Sequence, residues 1–350
     1  MNAHVALEAI STTTGQPIEV SNPLPYEGQG QGLATIDSAN GVYYIIGTNV
    51  SKANAVNLVG VSVATGQVAS ETPLPFQSSA LIGVGQYVAW DSTRGQAVAV
   101  GQDFTKNEYV LVRVDPERGH VDELATFPDT HDLDVLGGCS VYDAGADIYW
   151  FLLALNVSDV ISFKMYGFSA STGQLENILD NPDYIEAMVY DPNAGRVVAL
   201  GARVQKGVLQ RTLVFFDSET GTFTQFGTIP HYAEVLSDVL TLDTHDRVLY
   251  FFGHKSNQTV AQETTQRLAK ACQALDVSET RDLSLLECQV VLKARGGYAQ
   301  AVFGTDQGSL PSMNLVAFSL QSLKVLAEPQ ACATFPECAW SLEFANVQQE

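Results

Sequence analysis

The sequence predicts an all-β chain made of one four-stranded antiparallel unit repeated along its length. Three observations carry that prediction. An apolar strand ending in Asp, a short turn and a second apolar strand recur at a nearly constant interval. A second hairpin, with Gly in its turn, follows most copies of the first. Hydrophobic residues make up 46% of the 350 residues and charged ones 16%, which suits a large packed core and excludes wholesale disorder.

The first hairpin reads Ile36-Asp37, a turn ending in Gly41, then Val42-Tyr43-Tyr44. It returns as Trp90-Asp91 with Gly95, Tyr142-Asp143 with Asp147, Tyr190-Asp191 with Gly195, and Leu242-Asp243 with Arg247. Weaker copies centre on Ala294, running into Tyr298, and on Glu343, which keeps only the first strand. The anchors at 37, 91, 143, 191, 243, 294 and 343 span 306 residues, about 51 per interval, a period typical of repeated supersecondary units. Asp suits this turn because its carboxylate accepts from the backbone two residues on.

The second hairpin turns at Ala64-Thr65-Gly66-Gln67, Pro116 to Gly119, Ser171-Thr172-Gly173-Gln174 and Ser218 to Gly221, and again at the N-terminus at Thr13-Thr14-Gly15-Gln16. Gly supplies the positive φ that such a turn needs. Pro-rich connections then lead to the next unit. Serial four-stranded units of this length are propeller blades, and seven first strands predict seven blades in a single domain, 1–350. Strands at 5–10 and 17–20 provide the outer half of one blade and 339–345 its innermost strand. Together they close the ring and leave no free sheet edge.

The chain therefore resembles the seven-bladed β-propeller superfamily over nearly its whole length. Its Thr-Gly hairpins are similar to the repeats of bacterial surface and quinoprotein-type propellers. Subfamily signatures are missing. Trp90-Asp91 ends a first strand, where a WD40 repeat carries that dipeptide on its third. Gly296-Gly297 resembles a kelch double glycine without the rest of the pattern. Three Trp do not make the pattern of quinone-binding propellers. A shared fold does not carry function.

Charge narrows the partners. There are 18 Lys and Arg against 39 Asp and Glu, a net charge of −21. Such a surface repels nucleic acid and anionic membranes and favours cationic partners, a protein or basic peptide first and a glycan second. No stretch reaches the length of a membrane helix, and residues 1–5 lack a signal-peptide pattern.

In a propeller the Asp and Gly turns share one end. The inter-blade connections and the loops between second and third strands share the other, and that connection end is the expected binding face. The connections repeat a Pro followed by aromatic or acidic groups: Tyr26 and Glu27, Phe76, Asp129, His131 and Asp132, Asp183, Tyr184 and Glu186, and His231, Tyr232, Glu234 and Asp238. Two readings stand. Pro and aromatic residues seal adjacent blades while the acids are solvated, or they form an aromatic and carboxylate rim for a cation or basic peptide. Asp129, Asp132 and Asp134 alternate as calcium ligands do, without the EF-hand glycine or terminal Glu. No other cofactor is expected. Zinc, phosphate-loop, dinucleotide and Gly-x-Ser-x-Gly frames are absent from the sequence.

Cys272 and Cys288 are equidistant from residue 280, and Cys332 and Cys338 flank one connection, so both pairs are candidate disulfides, with Cys139 left as a core residue. The sequons at Asn49, Asn156 and Asn257 are expected in loops between second and third strands. These features suit an extracellular or secretory-lumen setting, while the missing leader suits the cytoplasm. A polar insertion at 255–276 contains a short helical pattern from Gln262. The functional expectation is a non-catalytic binding propeller using its acidic connection face. The first alternative is a metal-dependent hydrolase or lactonase at the channel mouth, by fold analogy, using Glu27, Asp132, Asp183, Glu186, Glu234 and Asp238. The second is a structural subunit whose first blade is completed by another chain.

Overall fold

A computed structural model of the chain describes residues 7–11, 13–14, 17–27, 34–49, 55–76, 87–103, 106, 108–128, 135–157, 160–180, 184–205, 208–229, 232–255, 266, 270, 313–327 and 330–332. The chain starts with a hairpin of β1 (Glu8–Ile10) and β2 (Pro17–Glu19). Blade one holds β3 (Tyr26–Glu27), β4 (Ala34–Asp37), β5 (Val42–Asn49), β6 (Ala55–Ser62) and β7 (Val68–Pro73). Its inner position is shared, because β3 and β4 both pair with β5.

Blade two is β8 (Tyr87–Asp91), β9 (Gln96–Asp103), β10 (Glu108–Asp115) and β11 (His120–Pro128). Blade three is β12 (Val135–Asp143), β13 (Ile148–Val157), β14 (Val160–Ser169) and β15 (Leu175–Asp180). Blade four is β16 (Tyr184–Asp191), β17 (Arg196–Gln205), β18 (Val208–Asp217) and β19 (Thr222–Ile229). Blade five is β20 (Tyr232–Asp243), β21 (Val248–Lys255), β22 (Met313–Ser319) and β23 (Lys324–Ala327), with β24 (Gln330–Cys332) also on β22. The first strands β4, β8, β12, β16 and β20 each pack beside the next.

The described strands thus form five blades of a β-propeller, not the expected seven. The miscount has a definite origin. The third strand of blade five is β22, so the anchor at 294 falls between two paired strands of one blade. The sequence there lacks the turn Asp, as does the anchor at 343, which lies outside the described residues. Gln266 and Lys270, described between β21 and β22, are helical.

Every central strand is buried on both faces, which explains its continuous apolar sequence. On β13, Tyr149, Phe151 and Leu153 pack against blade two, with Tyr109 and Leu111. The alternate residues Trp150 and Leu152 pack against blade four, with Val197, Val214 and Phe216. Similar seams join blade one to two and four to five. On the other side of blade one, Tyr43, Ile45, Val59 and Val61 are covered by Leu7, Leu24 and Tyr26.

The Asp turns are alike at all five anchors. Asp37, Asp91, Asp143, Asp191 and Asp243 are buried, and Oδ1 of each accepts from the backbone N–H groups two and three residues on, at 2.9–3.2 Å. The residue four past each Asp is left-handed. It is Gly at 41, 95 and 195, but Asp147 (φ 58°) and Arg247 (φ 53°) in blades three and five. Blade five also has a second-hairpin turn, from Ser319 to Leu323, with Leu323 at φ 55° where the other blades have Gly.

Candidate functional site

Three of the predicted rim residues, Tyr26, Phe76 and Glu186, have described side chains, and all three are buried. Tyr26 is buried opposite Asn49 at the connection end of β5, and burial, with Glu71 alongside, pushes its phenol up to about 12. Phe76 is buried in the seam between blades one and two, over Gly101, where a Cβ would come within 2.4 Å of its ring. Glu186 is 1% exposed and Arg211 is 1% exposed. The Arg211 guanidinium donates to Glu186 from Nε at 3.0 Å and from Nη2 at 3.1 Å. Glu186 is the bulged residue of β16, since Ile185 pairs with Gly201 and Ala187 with Leu200. A bulge re-aims a side chain, and here it turns a carboxylate onto the third strand of its own blade.

Tyr26 and Phe76 pack as sealing residues, as the first of the two sequence readings has it, while Glu186 is not solvated as that reading expects but paired within blade four. Glu27 lies in β3, Tyr184 in β16, and Tyr232, Glu234 and Asp238 in β20, as backbone positions. Asp129, His131, Asp132, Asp134, Asp183 and His231 lie outside the described residues. Among the described residues no three His, Cys, Asp or Glu side chains gather as a metal site.

Two other expectations shift. Asn49 is the last residue of β5, not a loop residue; it is 3% exposed and its amide donates to Glu71 at 3.3 Å. Asn156 likewise lies within β13, and Asn257 is outside the described residues. Cys139 is buried in the seam between blades three and four, as expected. Cys332 lies in β24, while Cys272, Cys288 and Cys338 are outside the described residues.

The turn end carries polar chemistry that sequence reading set aside as structural. The second oxygen of each of four turn Asp carboxylates finds a separate donor. Asn40 serves Asp37 at 2.7 Å, Arg94 serves Asp91 at 2.6 Å, and Arg247 of blade five serves Asp191 of blade four at 2.6 Å. Ser218 of blade four serves Asp143 of blade three. Arg94 also reaches Asp147 of blade three at 2.7 Å and Tyr142 at 3.1 Å. The carboxylate hydrogen bonds, Asp147 first, raise the pKa of Arg94. Burial would raise the Asp147 carboxyl, but hydrogen bonds from Arg94, Ser171 and Tyr142 hold it below its usual value. Both non-glycine residues at the left-handed position of the Asp turns, Asp147 and Arg247, thus take part in bonds between blades.

Between blades one and two this end opens into a cleft of 450 Å³. Its walls are the Asp turns of both blades, the second-hairpin turn of blade two at Asp115 to Arg118, and Ala69 and Ser70 of β7. Tyr44 and Trp90 stack within it, ring centres 5.0 Å apart and planes 12° apart. Burial, with Asp37 nearby, pushes the Tyr44 phenol up to about 12.

No family model matches the chain, and no curated protein matches it. Solved structures with a similar chain trace include hydrazine synthase of Kuenenia stuttgartiensis, at 12% identity, covering 89% of this chain and 68% of that one, with a TM-score of 0.47. An oligogalacturonate lyase from Vibrio parahaemolyticus has 10% identity, covers 90% and 68%, and scores 0.46. A protein from Lactobacillus plantarum has 14% identity, covers 93% and 92%, and scores 0.43. At such identities and scores no activity passes from them to this chain, and the blade architecture rests on the sheets themselves.

Proposed function

We propose that this chain is a non-catalytic binding propeller that takes a cationic protein or basic peptide at its connection end. The observation that supports it is the sequence of the connections. Segments 22–33, 74–86, 129–134, 181–183 and 230–231 hold Glu27, Asp129, Asp132, Asp134 and Asp183 but no Lys or Arg. Among the described residues, Arg94, Lys106, Arg113, Arg118, Arg211 and Arg247 each lie within 3.5 Å of a carboxylate. A net charge of −21 therefore rests on acids without such partners, and a long-range field of that sign speeds encounter with a basic surface.

The test is binding of an oligolysine peptide to the full chain at low and high salt. Asp129→Asn, Asp132→Asn and Asp183→Asn are combined in one variant. Glu186 is left intact because it is buried against Arg211. Weaker binding by the variant, with a shallower salt dependence, supports the assignment. Equal binding by variant and wild type overturns it.

A further inference from the structure

The Asp turns of blades one and four both carry an exposed Asn, Asn40 and Asn193, and they differ in what holds the next peptide nitrogen. After Asn193 that nitrogen belongs to Ala194. It donates to Oδ1 and to the carbonyl oxygen of Asp191, both at 3.2 Å. The Asn193 amide is itself tied to the Thr244 carbonyl of blade five. In blade one the two N–H groups on Asp37 are those of Ala39 and Asn40. The nitrogen after Asn40 is one step further on, that of Gly41, and no described residue accepts from it. In blade two the matching Gly95 donates to the Asp91 carbonyl at 2.9 Å.

Asn40-Gly41 is also the only Asn-Gly step in the sequence. Gly41 sits at φ 62°, and a Cβ there would meet nothing within 4 Å. Neither a side chain of its own nor a neighbour at that point blocks rotation of the peptide between Asn40 and Gly41.

We infer that Asn40 is a deamidation site of the folded protein. The Gly41 nitrogen attacks Cγ of Asn40 and loses its proton to solvent. A C–N bond forms, the bond to Nδ2 breaks, and Nδ2 takes up a proton and leaves as ammonia. One water then opens the succinimide at either carbonyl and leaves aspartate or isoaspartate. Nothing is oxidised or reduced. The reaction removes the amide that donates to Asp37 Oδ2 at 2.7 Å and puts a carboxylate in its place. An ionised carboxylate only accepts, and Asp37 is 4% exposed, so the two groups repel with little water to screen them. The modification thus loosens the turn of blade one. It also adds negative charge to the wall of the cleft between blades one and two, which Asn40 lines.

Peptide mapping by mass spectrometry tests this on the full chain aged in warm, mildly alkaline buffer. A second sample, aged in guanidinium chloride, shows how the same bonds react without the fold. The expected result is aspartate and isoaspartate at position 40 of the folded chain, formed at least about tenfold faster than any change at Asn193. Asn40→Asp should lower the melting temperature. Asn40→Ser keeps a short donor near Asp37 and has no amide to lose, so it should melt higher than Asn40→Asp and stay unmodified. The inference is overturned if Asn40 survives in the folded chain while it reacts in guanidinium, because the turn then protects it. Equal rates at Asn40 and Asn193 overturn it as well, since exposure alone would then govern both. If Asn40→Asp melts with wild type, the turn is indifferent to the new charge and the loosening falls.

Discussion

The two ends of this propeller are built on different logic. At the turn end one motif repeats five times, and each buried Asp meets the same two backbone donors. At the connection end the first strands of blades three, four and five each carry a bulge, but the described contacts differ from blade to blade. Blade one has a second short inner strand, and blade four has a bulge carrying a buried ion pair. The turn end solves a local backbone problem, so any blade can use the same answer. The connection end solves the fit between blades, which differs at every seam. That difference places the most costly single contact at the irregular end.

Glu186 and Arg211 should therefore show the largest effect of any pair described. Glu186→Ala leaves a guanidinium buried without its carboxylate, and an uncompensated buried charge costs about 3–5 kcal/mol. Urea unfolding of the full chain measures it. The double change to Met at both positions should cost much less than the single change, because it removes both charges together. A single variant close to wild type would mean that the pair does not hold blade four together.

The repeated end should respond next, and unevenly. Asp191→Ala removes the acceptor for two backbone N–H groups and also for Arg247 of the next blade. Asp37→Ala removes the same two bonds, but among the described residues its other oxygen meets only Asn40 of its own turn. We expect about 2–4 kcal/mol for the first and about 1 kcal/mol less for the second, the difference reporting the cross-blade link. Equal losses would show that Arg247 adds nothing to the seam.

This contrast also explains what was legible in the sequence. Local chemistry was readable: all five Asp anchors, four of the second-hairpin turns and the buried place of Cys139 follow from residue type and spacing. Position across space was not. Glu186 reads as one more acid after a Pro, because its partner Arg211 is 25 residues away and only the bulge brings them together. Phe76 reads as a rim aromatic because Gly101, which makes room for it, is on another blade. The blade count runs high because the apolar segments around 294 and 343 pass for first strands without the turn Asp, and 294 falls between the paired strands β21 and β22. The outer hairpin of blade five goes unread because Leu323 stands in a left-handed position where the pattern asks for Gly. The 450 Å³ cleft was missed because its walls come from turns judged purely structural.

Leu323 gives a smaller effect of the opposite sign. It is 44% exposed, so its side chain contributes little packing, while its backbone bears the cost of the left-handed region. Leu323→Gly should stabilise the chain by about 0.5–1 kcal/mol after the added freedom of Gly in the unfolded state. Arg247→Gly, at the equivalent strain in an Asp turn, should not stabilise, because it removes the bond to Asp191. The pair of variants separates strain that is merely tolerated from strain held by a cross-blade contact. A gain in both would erase that distinction.

The mildest test uses pH on the same seam. Burial alone would raise the Asp147 carboxyl, yet its bonds, Arg94 foremost, hold it below its usual value in the folded protein. A group whose folded pKa is depressed adds stability above its unfolded pKa of about 3.9 and loses it as pH falls through the folded value. Asp147 should therefore contribute fully at neutral pH and progressively less below about pH 4. In Asp147→Asn the acid limb of a stability–pH curve should be shallower than in wild type, with the curves converging at the lowest pH. Asp147 is partly exposed, so solvent screening keeps the effect modest. Parallel curves down the whole acid limb would mean that Arg94 finds its support in Asp91 alone, and that blades two and three are joined by their apolar seam without help from the turn end.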